Sequence, residues 1–216
     1  MACSNNFNGL YYSTDGKSWT QSNITSDVTS VNCLDVHNAN GIWVACGNAG
    51  LLYSTDGKAW TQSNVTSGSI KCLYYANGMW VAGHYNSQGL YYSTNGKTWT
   101  QSNITSGNFE TVYSANGIWF AGKLGGGLYC SPDGKTWTQS NITNDTIYSI
   151  CYASGIFIAG SNLGLYYSLD GKTWTKSNIT NGYFESVCHA NGLWVAATRS
   201  GNNYSFYYSV TWEPTT

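Results

Sequence analysis

Gly127-Leu128-Tyr129-Cys130-Ser131-Pro132-Asp133-Gly134-Lys135-Thr136-Trp137 decides the fold, because near copies of this stretch recur along the whole chain. They lie at residues 9–19, 50–60, 89–99 and 164–174, and a looser sixth copy opens with Ser205-Phe206-Tyr207-Tyr208-Ser209. Successive copies start 37 to 41 residues apart. A unit that short cannot bury its own apolar faces and must stack on its neighbours, so the repeat is the level at which the fold has to be read.

Each period holds four apolar or aromatic stretches, here named strands A to D, such as Ser149-Ile150-Cys151-Tyr152, Ile156-Phe157-Ile158-Ala159, Leu165-Tyr166-Tyr167-Ser168 and Thr173-Trp174-Thr175. A and B are joined at Asn40-Gly41, Asn77-Gly78, Asn116-Gly117, Ser154-Gly155 and Asn191-Gly192. Asn-Gly supplies the two positive φ angles that a two-residue hairpin demands. C and D are joined by Ser-x-Asp-Gly-Lys-x-Trp, in which Asp can bond back onto its own turn and Trp covers the turn with apolar area. The pattern predicts an all-β protein, a β-propeller of four-stranded antiparallel blades, with residues 1–216 forming a single domain whose repeats start near 9, 50, 89, 127, 164 and 205. Six C strands against five A strands favour six blades with the first lacking its inner strand; five blades, closed by strands from both ends, is the alternative. The tryptophans that recur on strand B, Trp43, Trp80, Trp119 and Trp194, and those that close the C to D turns are expected to pack between sheets.

The C to D turns, carrying Asp15, Asp56, Asn95, Asp133 and Asp170, resemble the Asp-box, or BNR-type, repeat of sialidases and other β-propellers, with one residue fewer before the glycine. The resemblance covers nearly the whole chain and implies a fold, not an activity. A sialidase would need an arginine triad for its substrate carboxylate, and the chain has one arginine, Arg199; lysine cannot supply the bidentate guanidinium clamp. Each turn offers one side-chain acid beside a lysine, which suits a structural turn better than a calcium site.

Charge is sparse and nearly balanced, with 9 Lys and Arg against 10 Asp and Glu, so nucleic acid is not an expected partner. No apolar run of about 18 residues exists to span a bilayer, and Met1-Ala2-Cys3-Ser4-Asn5 lacks the regions of a signal peptide. The 7 cysteines show no Cys-x-x-Cys spacing and are expected to be free, mostly buried thiols, which points to the cytoplasm. His37, His84 and His189 fall in different repeats, without ligand spacing. The carboxylates outside the turns are Asp27, Asp35, Glu110, Asp145, Glu185 and Glu213, and nothing in the sequence pairs them. No metal, no cofactor and no catalytic residue are expected: the chain reads as a binding protein and not an enzyme. Five Asn-x-Thr triplets, at Asn23, Asn64, Asn103, Asn141 and Asn178, match the glycosylation acceptor sequence but recur because the repeat recurs.

Comparing the repeats with one another locates the variation. The A to B and C to D turns are nearly uniform, whereas the B to C and D to A connections, which emerge on the opposite face, differ in length and chemistry. Between B and C lie Asn5-Asn6-Phe7-Asn8, Asn48-Ala49, His84-Tyr85-Asn86-Ser87-Gln88, Lys123-Leu124-Gly125-Gly126, Ser161-Asn162-Leu163 and Thr198-Arg199-Ser200-Gly201-Asn202-Asn203-Tyr204. Before A lie Asp27, Ser69 with Lys71, Phe109 with Glu110, Ile147 with Tyr148, and Tyr183-Phe184-Glu185. Amides and aromatics predominate there, which suits sugars or a protein surface. The candidate ligand contacts are Phe7, His84, Tyr85, Asn86, Gln88, Phe109, Glu110, Asn162, Tyr183, Glu185, Arg199, Asn203 and Tyr204. The expected function is lectin-like recognition of carbohydrate or glycoprotein on this face. The alternatives are a protein-interaction or assembly scaffold, with self-association at the closure, and a recently amplified or engineered repeat without a selected ligand.

Overall fold

The Asn-Gly pairs do what their residue types dictate. Asn77 and Gly78 sit at φ 51° and 76°, Asn116 and Gly117 at 50° and 75°, and Ser154, in place of Asn, at 50° before Gly155 at 80°. Such primed turns match the right-handed twist of the strands they join. The computed structural model describes residues 1–3, 9–24, 31–200 and 203–209, and strands are its only regular elements.

Six sheets follow in chain order. The first, blade I, has three strands, Ala2–Cys3, Leu10–Tyr12 and Thr20–Gln21, which are B, C and D of the repeat. Blade II comprises Cys33–Ala39, Ile42–Gly47, Gly50–Ser54 and Ala59–Gln62, with Asn23–Ile24 added parallel to its outer strand. Blades III, IV and V are antiparallel sheets of four, running Ile70–Ala76 to Thr100–Gln101, Phe109–Ala115 to Thr138–Gln139, and Ile147–Ala153 to Thr175–Lys176. The last sheet, blade VI, holds A, B and C as Tyr183–Ala190, Leu193–Ser200 and Asn203–Ser209; the D strand expected near Trp212 lies outside the described residues. The A strands are neighbours from blade to blade: Val187 N–H reaches Ser149 Oγ at 3.2 Å, and Tyr152 N–H reaches the Tyr113 hydroxyl at 3.3 Å. This makes A the inner strand, and the arrangement is a β-propeller.

The apolar core is a series of interfaces between successive blades. Between III and IV, Cys72, Met79, Val81 and Leu90 meet Phe109, Val112, Trp119, Ala121 and Trp137. Between IV and V, Phe120, Leu128 and Ile142 meet Ile147, Ile150, Phe157 and Trp174. In blades II to V the tryptophan that ends the C to D turn therefore seats against the blade before its own. Burying such a ring removes it from water with a gain on the order of 3 kcal/mol.

Polar bonds fasten the same interface. Trp137 N–H donates to Asn103 Oδ1 at 2.8 Å, and Asn103 Nδ2 donates to the Trp137 carbonyl at 3.0 Å. Asn64 grips Trp99 in the same way at 2.8 and 2.9 Å, and Asn141 grips Trp174 at 2.9 and 2.8 Å. Three of the five Asn-x-Thr asparagines, Asn64, Asn103 and Asn141, thus join one blade to the next. The lysine of three of the turns also covers a tyrosine of the preceding blade: Lys58 over Tyr12, Lys97 over Tyr53 and Lys135 over Tyr92, at 5.6 to 5.7 Å from the ring centres.

Inside each C to D turn the first serine and the acid share one pattern. Ser131 Oγ donates to Asp133 Oδ1 at 2.9 Å and accepts from Gly134 N–H at 2.9 Å, while Asp133 Oδ1 accepts from the N–H groups of Lys135 and Thr136 at 2.8 Å. Only Oδ1 is used, so Asn95 substitutes without loss, accepting from Lys97 and Thr98 N–H at 2.9 Å. Backbone N–H bonds hold the carboxyls of Asp15 and Asp170 down at about 2.

The cysteines need one correction. Cys46, Cys72, Cys130, Cys151 and Cys188 are free thiols, as expected, but Cys33 is disulfide-bonded. Free thiols therefore do not describe every cysteine, and the argument from them to the cytoplasm loses its basis.

Candidate functional site

The face formed by the B to C and D to A connections has one feature in every blade from II to VI: the inner strand carries a bulge one residue after the residue that enters the core. The pairing between A and B skips Leu34, Lys71, Glu110, Tyr148 and Glu185 in turn. A bulge leaves one residue outside the ladder and re-aims its side chain. Here the skipped residue is also the one whose chemistry differs most between repeats, and the five share one end of the inner strands.

Interactions link four of these positions, Lys71, Glu110, Tyr148 and Glu185, into a row. Lys71 of blade III bonds Glu110 of blade IV, whose side chain is almost fully buried. The Lys71 ammonium also lies 4.8 Å from the centre of the Tyr85 ring. Tyr148 of blade V sits between Glu110 and Glu185; partial burial first, then the negative charge of Glu110 and the neighbours Tyr183 and Glu185, push its hydroxyl above the usual tyrosine range. Glu185 pairs with Arg199 at 3.4 Å, both of them exposed. Beside the row, the Tyr166 hydroxyl donates to Asp145 Oδ2 at 2.6 Å. Cation, anion, phenol, anion and cation thus alternate from Lys71 to Arg199, flanked by the exposed rings of Tyr85 and Tyr183.

The candidates from sequence divide into three groups. Tyr85, Glu110, Tyr183, Glu185 and Arg199 belong to the row or its flanks. Asn86 and Gln88 are exposed at the tip of the blade III connection, where Gln88 Oε1 accepts from the Tyr91 hydroxyl at 3.3 Å.

A second group is turned inward. Phe109 is fully buried between blades III and IV, because it occupies the same core position as Ile70, Ile147 and Phe184; it is not a surface contact. His84 is fully buried as well: its Nδ1 accepts from Asn86 N–H at 3.0 Å, which leaves Nε2 to donate toward the Ser67 carbonyl at 3.4 Å. Burial lowers its pKa and keeps the ring neutral, and Gly68, at φ 88°, leaves room for it where a Cβ would lie 2.3 Å from the ring. Asn162 uses its amide oxygen to accept from Thr146 N–H at 2.8 Å while its own N–H bonds the Thr146 carbonyl, so it holds the connection in shape.

In the third group, Phe7 lies outside the described residues, and of Asn203 and Tyr204 only the backbone is described, paired with Ser200 and Arg199. Sequence reading passes over Leu34, Lys71 and Tyr148 as candidates. Their signal is positional: each stands one residue after the buried entrance residue of strand A, at the offset of Glu110 and Glu185.

No known protein family matches the sequence, and no curated protein is detectably similar. Among solved structures, the chain is similar to the computationally designed Ika8 protein at TM-score 0.66 and 9% identity, over 83% of this chain and 59% of that one. It is similar to AFV00434, an ancestral GH74 enzyme, at TM-score 0.65 and 16% identity, over 96% of this chain and 36% of the enzyme. It is also similar to YCF48 bound to D1 peptide, at TM-score 0.64 and 17% identity, over 95% of this chain and 72% of YCF48. The chain thus spans less than two thirds of Ika8 and of the enzyme. The likeness establishes the propeller fold.

Proposed function

We propose that the chain is a non-catalytic binding module whose B to C and D to A face recognises carbohydrate. The observation that carries this reading is the bulge row between Lys71 and Arg199, set between the exposed rings of Tyr85 and Tyr183. Flat apolar rings take the C–H faces of a sugar, and paired donors and acceptors take its hydroxyls at little entropic cost. The turns beneath resemble Asp-box repeats and serve as frame. Both carboxylates in the row, Glu110 and Glu185, are engaged by cations, which favours recognition over proton transfer. The test is a glycan array probed with the protein in multivalent form, so that avidity amplifies weak sites. Expected is binding to a restricted glycan class, reduced at least tenfold when Tyr85 and Tyr183 are both changed to Ala. Binding to no glycan above background, or binding indifferent to those changes, refutes it.

A protein-interaction reading has its own support in Leu124 and Leu163, aliphatic residues exposed at the tips of two B to C connections. Aliphatic tips suit a protein surface better than a sugar. A partner captured by pull-down and lost on changing Leu124 and Leu163 to Asp would favour it.

A further inference from the structure

The interface repeated between blades supplies a template for what each blade face needs as a neighbour, and one example of each half is left uncovered. On the forward half, C-strand residues Leu10, Leu51, Leu90 and Leu128 are all 0% exposed beneath the following blade, whereas their counterpart in blade VI, Phe206, is 70% exposed. Tyr208 of the same strand corresponds to Tyr12, Tyr53 and Tyr92, the three rings covered by a lysine of the next blade, and it is 72% exposed. On the backward half, Trp60, Trp99, Trp137 and Trp174 are 0 to 3% exposed against the preceding blade, whereas Trp19 of blade I is 45% exposed. Lys17, the lysine of that turn, covers no ring among the described residues.

Among the described residues of one chain these halves do not meet. No strand pairing joins the first and last sheets among the described residues, and Trp19 and Phe206 each keep a large exposed area. We propose that they meet between two copies: blade I of one chain stacks on the forward face of blade VI of another, with Trp19 against Phe206 and Lys17 over the Tyr208 ring. The two surfaces differ, so the contact is head-to-tail, and each added copy presents a fresh surface to the next.

The test uses the full chain and two variants, Trp19→Asp and the double change Phe206→Asp with Tyr208→Asp, followed by sedimentation velocity over a range of concentrations. The unmodified chain is expected to shift to larger species as concentration rises. Each variant alone is expected to stay at the mass of one chain. An equal mixture of the two, which retains one intact head and one intact tail, is expected to form a two-chain species and no larger one. A single-chain mass for the unmodified protein at every concentration overturns the proposal, and so does a mixture that behaves as its separate parts. Association of the Phe206 and Tyr208 variant with itself would place Trp19 against Trp19 and overturn the head-to-tail arrangement. Hydrogen exchange on the unmodified chain gives a second measure independent of substitution: protection at Leu10–Tyr12 and Asn203–Ser209 should rise with concentration, and unchanged protection counts against the contact.

Discussion

Changing Asn103 to Ala removes both bonds that tie blade III to the backbone of Trp137. Each such bond contributes about 1 kcal/mol net, and leaving the Trp137 N–H unpaired beside a buried ring adds roughly 1 to 2 kcal/mol, so the expected loss is about 3 to 4 kcal/mol. In a domain of this size that lowers the melting temperature by on the order of 10 °C. The natural control is Asn178, which stands in the same triplet but is exposed and makes no corresponding bond among the described residues. Its change to Ala should cost less than about 0.5 kcal/mol. Thermal unfolding followed by circular dichroism, with urea titration to check that the slope is unchanged, compares the two. Equal effects of Asn103→Ala and Asn178→Ala would refute the reasoning, because the difference rests wholly on the clamp. Attachment of a glycan to Asn103 would likewise have to displace a donor already in use.

Three further outcomes follow from other parts of the fold. Gly127 sits at φ 75° with the Ile142 carbonyl only 1.8 Å from where a Cβ would stand, whereas Gly117, also at 75°, has open space around it; Gly127→Ala should destabilise by more than about 3 kcal/mol and Gly117→Ala by about 1 kcal/mol, measured by urea unfolding. The turn carboxyls Asp15 and Asp170 titrate near 2 in the folded chain, below their unfolded values, so their stabilisation is present above about pH 4 and is lost as the pH falls toward about 2. Asp170→Asn should leave stability near neutrality almost unchanged, as Asn95 already does in its own turn, and should flatten the acid limb of a melting-temperature profile. Tyr148 should titrate at higher pH than a free tyrosine by ultraviolet absorbance, chiefly because it is partly buried and then because of the charge of Glu110, and Glu110→Gln should lower that titration; no movement on the change would refute the influence of Glu110 on Tyr148.

Strands and turns were legible because their signals are local. A two-residue connection of Asn and Gly has few other structures open to it, and tryptophans at one offset in successive units read as packing residues, which Trp60, Trp99, Trp137 and Trp174 are. The site was less legible because it depends on register. Phe109 and Glu110 are adjacent at the entrance of a strand, and one residue decides that the first is core and the second is surface; the bulge that settles it is a property of pairing with the next strand, which no single unit displays. His84 was misplaced for a related reason: a connection of five polar and aromatic residues reads as surface, yet Gly68 of a neighbouring segment opens a pocket for the ring. The Asn-x-Thr triplets, which the sequence explains only as a consequence of the repeat, are clasps between blades at Asn64, Asn103 and Asn141. Their partners lie 33 to 35 residues away, a separation that only the stacking of units explains.

That clasp gives the stack a grammar. From blade II to blade V each joint pairs an asparagine of one unit with the tryptophan backbone of the next, so a gene duplication that inserts one whole period there creates as many sockets as plugs and leaves no joint unfilled. A duplication of half a period would leave one of each orphaned. Lineages that lengthen or shorten such an array should therefore change by whole units, and the loops of the variable face, which take no part in the joint, are free to diverge from copy to copy without disturbing the count.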